Sequence, residues 1–128
     1  MTISHGTATR YALVNAAVDR VDLGGGSFGK LTFLSSTDTV VCNITLANPA
    51  FSSTASSASQ TLLGVPLTGT VLTTGVTITK FYVYDTSGST VVIAGAVGTS
   101  GQDINLSSVT VSVNDVIQID SIQYTAAV

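Results

Sequence analysis

Hydrophobic and polar residues alternate with a period of two along most of this chain, and with a helical period in one stretch near its start. In Thr7 to Leu23, Tyr11, Val14, Val18 and Val21 recur at spacings of three and four, with Ala12, Ala16 and Ala17 between them. That spacing predicts an amphipathic helix over 7–23, with Thr7 or Thr9 as its N-cap and Gly24-Gly25-Gly26 as its stop. Residues 1–6 carry no packing pattern and are expected to form an N-terminal arm ahead of a single domain spanning 7–128. Asp19 and Asp22 oppose the dipole at the helix end, so packing has to hold the helix in place.

From Lys30 onward the period is that of strands. Lys30 to Leu34 and Val40 to Ala47 form two, the second with Cys42, Ile44 and Leu46 on one face, and Asn48-Pro49 ends it. Phe51 is expected to anchor the next segment. Ser52 to Gln60, SSTASSASQ, reads either as a disordered tip or as an extended edge. Thr61 to Val65 and Thr70 to Thr74 are short strands, and Pro66 to Gly69 between them reads as a turn. Val76 to Thr79 runs on into Lys80 to Tyr84, but the apolar phase slips between Ile78 and Phe81. Such a slip marks a bulge or a strand that changes sheets.

The longest run of consistent signals is Lys80 to Leu106. Phe81 and Val83 share one face and Tyr82 and Tyr84 the other, then Asp85-Thr86-Ser87-Gly88 turns the chain into Thr90 to Ile93, a hairpin. Gly95, Gly98 and Gly101 interrupt the pattern before Asp103 to Leu106 resumes alternation. Val109, Val111 and Val113 alternate, Asn114-Asp115 turns, Val116 to Ile119 returns, and a second phase slip at Asp120-Ser121 leads to Ile122 and Tyr124. Eight or nine strands and one helix predict an all-β fold, a jelly-roll-like sandwich of two antiparallel sheets with an N-terminal α-helix.

Composition narrows the functional classes. Only 9% of the 128 residues are charged, against roughly 25% in average domains. Glu is absent, and 36 Ser and Thr residues supply the polar surface. Arg10, Arg20, Lys30 and Lys80 are too few and too scattered for a nucleic-acid or anionic-membrane patch, and the net charge is −3. No apolar stretch reaches the ~20 residues of a membrane helix, and MTISHGTATR lacks the apolar core of a signal peptide, so synthesis in the cytoplasm is expected.

Candidate chemistry is sparse. His5 is the single histidine and lies in the arm, so it is no base for a Ser or Cys nucleophile. Cys42, within an apolar run, reads as a small buried hydrophobe. Asp85 and Asp103 flank the glycine-rich segment, where turn capping outweighs binding of a hard cation. One Cys and one His exclude a zinc site of the usual spacing. Paired-carboxylate hydrolysis is disfavoured by the absence of Trp platforms. Gly24 to Gly29 closes a helix and opens a strand, the reverse of a phosphate-binding loop. Neither enzymatic activity, nor a cofactor, nor a metal is expected. Tyr82 and Tyr84 leave two readings, a sugar- or partner-binding surface or packing beneath the helix.

Arg10-Tyr11-Ala12-Leu13-Val14-Asn15-Ala16-Ala17-Val18-Asp19 and Leu46-Ala47-Asn48-Pro49-Ala50-Phe51, with Phe81 to Gly88 and Gly95 to Leu106, resemble a family of short proteins encoded among the virion genes of tailed bacteriophages. Asn15 departs from that pattern, which often has an acid there, and Tyr82 stands where it often has Arg. The resemblance implies a structural virion protein on the capsid surface that decorates or cements the shell by binding the major capsid protein, as a homo-oligomer and specifically a trimer. Thr2, Ile3, Ser4 and His5 in the arm, with Tyr82 and Tyr84, are the candidate capsid or subunit contacts. A tail or fibre-type adhesin is the alternative, and a carbohydrate-binding module the third.

Overall fold

A computed structural model describes residues 6–23, 25, 28–51, 59–106, 108–119 and 123–125. Thr2, Ile3, Ser4 and His5, most of the Ser52 to Gln60 tract, and the phase slip at Asp120-Ser121 lie outside them. The chain is β-rich with one helix, α1 (Thr7–Arg20). Its centre is a five-stranded sheet in the order β2 (Val40–Thr45), β1 (Lys30–Leu34), β6 (Lys80–Tyr84), β7 (Val91–Gly98), β8 (Ile104–Asn105). Three two-stranded ribbons accompany it: β4 (Leu67–Thr70) with β10 (Val116–Ile119), β3 (Ser59–Thr61) with β11 (Gln123–Thr125), and β5 (Val76–Thr77) with β9 (Thr110–Val111).

Two expectations about architecture change here. The central sheet is mixed, because β8 runs parallel to β7 through Val97 opposite Ile104. The described residues form eleven strands rather than eight or nine, several of them only two or three residues long. Short strands arise where the chain pairs briefly and then leaves for another partner, which a periodicity count cannot separate from one long strand.

The helix follows its predicted face. Val14, Val18 and Val21 are buried, while Tyr11 is half-buried. Its ends differ from expectation. Gly6 is the N-cap, with its carbonyl accepting from Arg10 N–H at 3.0 Å, and no side chain caps the first turn. Gly6 therefore belongs to the helix rather than to an arm. The α-helix stops at Arg20, and Val21, Asp22 and Leu23 continue in a tighter turn in which each N–H bonds three residues back. Tertiary bonds hold that turn. Asp22 Oδ1 accepts from Ala50 N–H at 2.9 Å, and Leu23 O accepts from both the N–H (2.8 Å) and the hydroxyl (2.6 Å) of Thr86.

The hairpin β6–β7 forms as its turn residues dictate. Asp85 N–H donates to Thr90 O, Gly88 N–H donates to Asp85 O, and Gly88 takes a φ of 76°, open to glycine at little cost. The phase slip before Phe81 is a change of sheets: Val76 and Thr77 pair with β9, whereas Lys80 opens the strand that pairs with β1. The change falls between Ile78, whose N–H donates to Val109 O on the ribbon side, and Thr79, whose N–H donates to Leu34 O and whose carbonyl accepts from Val97 N–H in the central sheet.

Glycines explain two further differences. Pro66 to Gly69, expected as a turn, becomes strand from Leu67 on by pairing with β10, and at Gly69 β4 approaches β2 more closely than a side chain permits. A Cβ on Gly69 would lie 2.6 Å from the Ile44 side chain, 2.7 Å from Asn43 O and 2.8 Å from Cys42 Sγ. Gly95 does not interrupt β7 but lets it pass the Phe81 ring, which a Cβ would meet at 2.5 Å. The Asn114-Asp115 turn also forms, with Asn114 at φ 74°, yet β9 and β10 on either side of it pair with different strands and make no hairpin.

One buried cluster joins the layers. Val18 and Val21 from the helix meet Leu31, Phe33, Cys42, Ile44, Phe81 and Val83 from the central sheet and Ile117 and Ile119 from a ribbon. Phe51 is buried as expected and bridges to Leu62. Val18→Asp places an unpaired carboxylate at a site 1% exposed and is expected to cost on the order of 3 kcal/mol or more in urea or guanidinium unfolding. Gly69→Ala is expected to cost about 1–3 kcal/mol by overpacking. An unchanged midpoint in either variant contradicts the packing described.

Candidate interaction surface

Alternation along β6 divides its residues between two environments. Phe81 and Val83 are buried in the core, and Lys80, Tyr82 and Tyr84 are half-buried on the opposite face. Register on β1 continues the division, with Thr32 opposite Tyr82 and Lys30 opposite Tyr84. Since Val18 and Val21 join the cluster that holds Phe81 and Val83, the tyrosines lie on the sheet face turned away from the helix core. Of the two readings open for Tyr82 and Tyr84, the fold leaves them as a surface rather than as packing beneath the helix.

The two rings meet edge to face, with centroids 6.1 Å apart at 84°, an arrangement that aligns the positive edge of one with the negative face of the other. Lysines cap both ends. Lys30 Nζ lies 4.8 Å from the Tyr84 centroid and Lys80 Nζ 5.6 Å from that of Tyr82, within cation–π range. Lys80 also binds Asp38, a residue held at φ 64°, and that hydrogen bond above all raises the Lys80 pKa. Thr32 Oγ1 donates to Asn43 Oδ1 at 2.7 Å and extends the polar face toward β2. Two of the chain's four firm cations and two of its four tyrosines thus share one sheet face. The face presents aromatic rings and ammonium groups, which suit contact with a polar or weakly anionic surface.

A second feature stands where the helix meets the hairpin. Asp85 is 1% exposed, and its Oδ1 accepts from Ser87 N–H at 2.9 Å and from the Ser87 hydroxyl. Arg20 Nη1 lies 2.8 Å from Oδ2 as an ion pair rather than an aligned hydrogen bond. Bonds from Ser87 first, and the Arg20 charge after them, hold the Asp85 carboxyl below the usual carboxylate range against the opposing effect of burial. Asp103 is engaged too, its Oδ2 accepting from Ala96 N–H at 2.9 Å beside Gly95. Asp85 thus caps its own turn, whereas Asp103 ties its loop to β7. Cys42 is fully buried, and desolvation pushes its thiol up to about 11, far from a reactive thiolate. Among the described residues no group of three His, Cys, Asp or Glu side chains is placed to hold a metal ion, and no helix is long and apolar enough to cross a membrane.

An unforeseen surface lies at one rim. Leu72 is 57% exposed, Val113 45%, Val116 66% and Val40 39%. The segments carrying them are tied together: Leu72 N–H donates to Val41 O, Thr73 Oγ1 to Val40 O, Asn114 N–H to Val71 O and Val113 N–H to Thr74 Oγ1. Periodicity assigns Val111 and Val113 to one strand face, so the sequence alone gives no reason to expect Val113 exposed and Val111 buried. The signal missed was the early end of β9, after Val111.

Two measurements test these assignments. The unfolded carboxyl titrates at about 3.9, above the folded Asp85, so the carboxylate stabilises the native state above that pH. This contribution disappears as pH falls through the lower folded value. Asp85→Asn is expected to flatten the loss of urea stability between neutral and acidic pH; a variant that loses stability as steeply as the parent removes Asp85 from this role. Cys42 is expected to resist a disulfide reagent in the native protein at mildly alkaline pH and to react at once in denaturant.

No family model, curated protein or solved structure matches the chain.

Proposed function

We propose that this chain is a structural virion protein that decorates or cements the capsid shell of a tailed bacteriophage, binding the major capsid protein as a homotrimer. The observation that carries the reading is the rim of exposed aliphatic side chains, Val40, Leu72, Val113 and Val116, on a domain with only eleven firmly charged residues. Exposed apolar groups gathered at one end mark contact surfaces, and a surface with little charge offers little repulsion to a neighbour. The three ribbons act as the second layer of a sandwich over the central sheet. The sequence resemblance points to the same class, and shell three-folds are the sites that a trimer fits. Contacts come from residues 2–5 and from the Tyr82–Tyr84 face, and avidity over several capsid subunits strengthens each modest interface.

A tail or fibre-type component is the second reading. It is favoured by Phe28, an aromatic 54% exposed just ahead of β1. Copy number per purified particle separates the two, since a shell component matches the capsid lattice and a tail component is present in only a few copies. Gold-labelled antibody on purified particles is expected to mark the shell, and native mass measurement of the isolated chain to give a trimer. A monomer absent from the shell overturns the proposal.

A further inference from the structure

We infer that copies of this chain join head to tail along the central sheet, the end that carries Lys30 and Tyr84 on one copy receiving the rim of Val40, Leu72, Val113 and Val116 on the next. The inference rests on the self-association proposed above, names the surfaces that make it, and is independent of the capsid. Register sets the two surfaces at opposite ends of the sheet. Along β1, Lys30 lies across from Thr45 and Tyr84, whereas Leu34 lies across from Val40 and Lys80. Four steps of extended chain separate Lys30 from Leu34 by about 13 Å, so one end meets the other only on another molecule.

Both ends expose apolar side chains. At the Lys30 end, Phe28 precedes Lys30 by two residues, Val91 lies across from Tyr84, and Leu23 is tied through its carbonyl to Thr86, two residues beyond Tyr84. All three are exposed. The far end carries the valine and leucine rim already described, and apolar groups gathered in this way mark contact surfaces. Apolar area supplies the attraction between such surfaces, and charge sets their orientation.

Charge decides which end meets which. Arg20 pairs with Asp85 and Lys80 with Asp38, but Lys30 belongs to neither pair and rests its ammonium over the Tyr84 ring. The acids near it are engaged or turned away: Asp22 Oδ1 accepts from Ala50 N–H, and the helix that carries Asp19 packs on the opposite face of the sheet. Asp115 stands in the rim between Val113 and Val116, is exposed, and also belongs to neither pair, with its Oδ2 on Ser112 N–H at 2.8 Å. One end thus offers an ammonium without a carboxylate, and the other a carboxylate without an ammonium. A twofold contact between like ends sets Lys30 against Lys30 or Asp115 against Asp115, which repel. Joining unlike ends is a heterologous contact, and because a twofold contact is isologous, a closed head-to-tail ring starts at the trimer.

A double-mutant cycle on the full chain, read by sedimentation equilibrium at low salt, tests this directly. Lys30→Gln keeps most of the side-chain stem, and Asp115→Asn keeps an oxygen for Ser112 N–H, so circular dichroism of both is expected to match the parent. Each single variant is expected to raise the concentration of half-assembly about threefold, as the loss of one exposed ion pair at every contact of a ring implies. The double variant is expected to assemble no worse than either single one, because both remove the same pair. Val116→Ser, which changes no charge, is expected to weaken assembly as well. Losses that add in the double variant separate Lys30 from Asp115 and overturn the inference. Assembly indifferent to these residues overturns it too and leaves the trimer reading standing, whereas a parent chain monomeric at every concentration overturns both.

Discussion

Everything in this fold depends on β1 being paired on both sides and buried for nearly its whole length. Leu31 and Phe33 are fully inaccessible, each side chain contributing about 1.5–3 kcal/mol by leaving water. Thr32 between them is 1% exposed on the other face, and its hydroxyl is satisfied by Asn43. With β2 and β6 locked to it in antiparallel register, β1 fixes which residues of both neighbours face the core. A slip by one residue exchanges Phe81 and Val83 for Tyr82 and Tyr84 and turns the core face polar.

From that fixed centre the chain reaches its other elements by close approaches rather than by long strands. Gly69 brings β4 against β2, Gly95 brings β7 over Phe81, and Gly29 lets Val21 of the helix turn sit where a Cβ would come within 2.6 Å of it. The Asp85 turn then receives Arg20 and shares Thr86 with Leu23, so the helix end is tied to the hairpin by polar contacts as well as by Val18 and Val21. Apolar packing provides the attraction, and these bonds set where the helix stops.

Local chemistry made much of this legible. Tyr11 to Val21 revealed the helix face, Asp85 to Gly88 the hairpin, and the slip before Phe81 the change of sheets. Pairing was not legible, because alternation says which face a residue takes and nothing about its neighbour across the ladder. Hence β8 came out parallel, and among the described residues β9 and β10 follow one another without pairing. Glycine was misread for a related reason: Gly69 has the same sequence signature in a turn as in a strand packed against another backbone. Of the candidate contact residues, Tyr82 and Tyr84 had a readable place through alternation. Residues 2–5 carried no pattern that ties them to a particular partner.

Scarcity of charge connects the interior to the surface. A domain with hydroxyls in place of Lys and Glu adds local side-chain bonds to its Arg20–Asp85 and Lys80–Asp38 pairs, as in the Ser35, Thr37 and Thr39 cluster, where hydroxyls bond one another and backbone N–H groups. Such bonds hold turns in place but do little to keep neighbouring chains apart, since charge on strand edges is the usual deterrent to pairing. Lys30 and Lys80 lie over the tyrosine rings, and Val40, Leu72, Val113 and Val116 expose aliphatic side chains at the rim. With only eleven firm charges, hydroxyls and glycines make up much of the surface around these exposed aliphatic side chains.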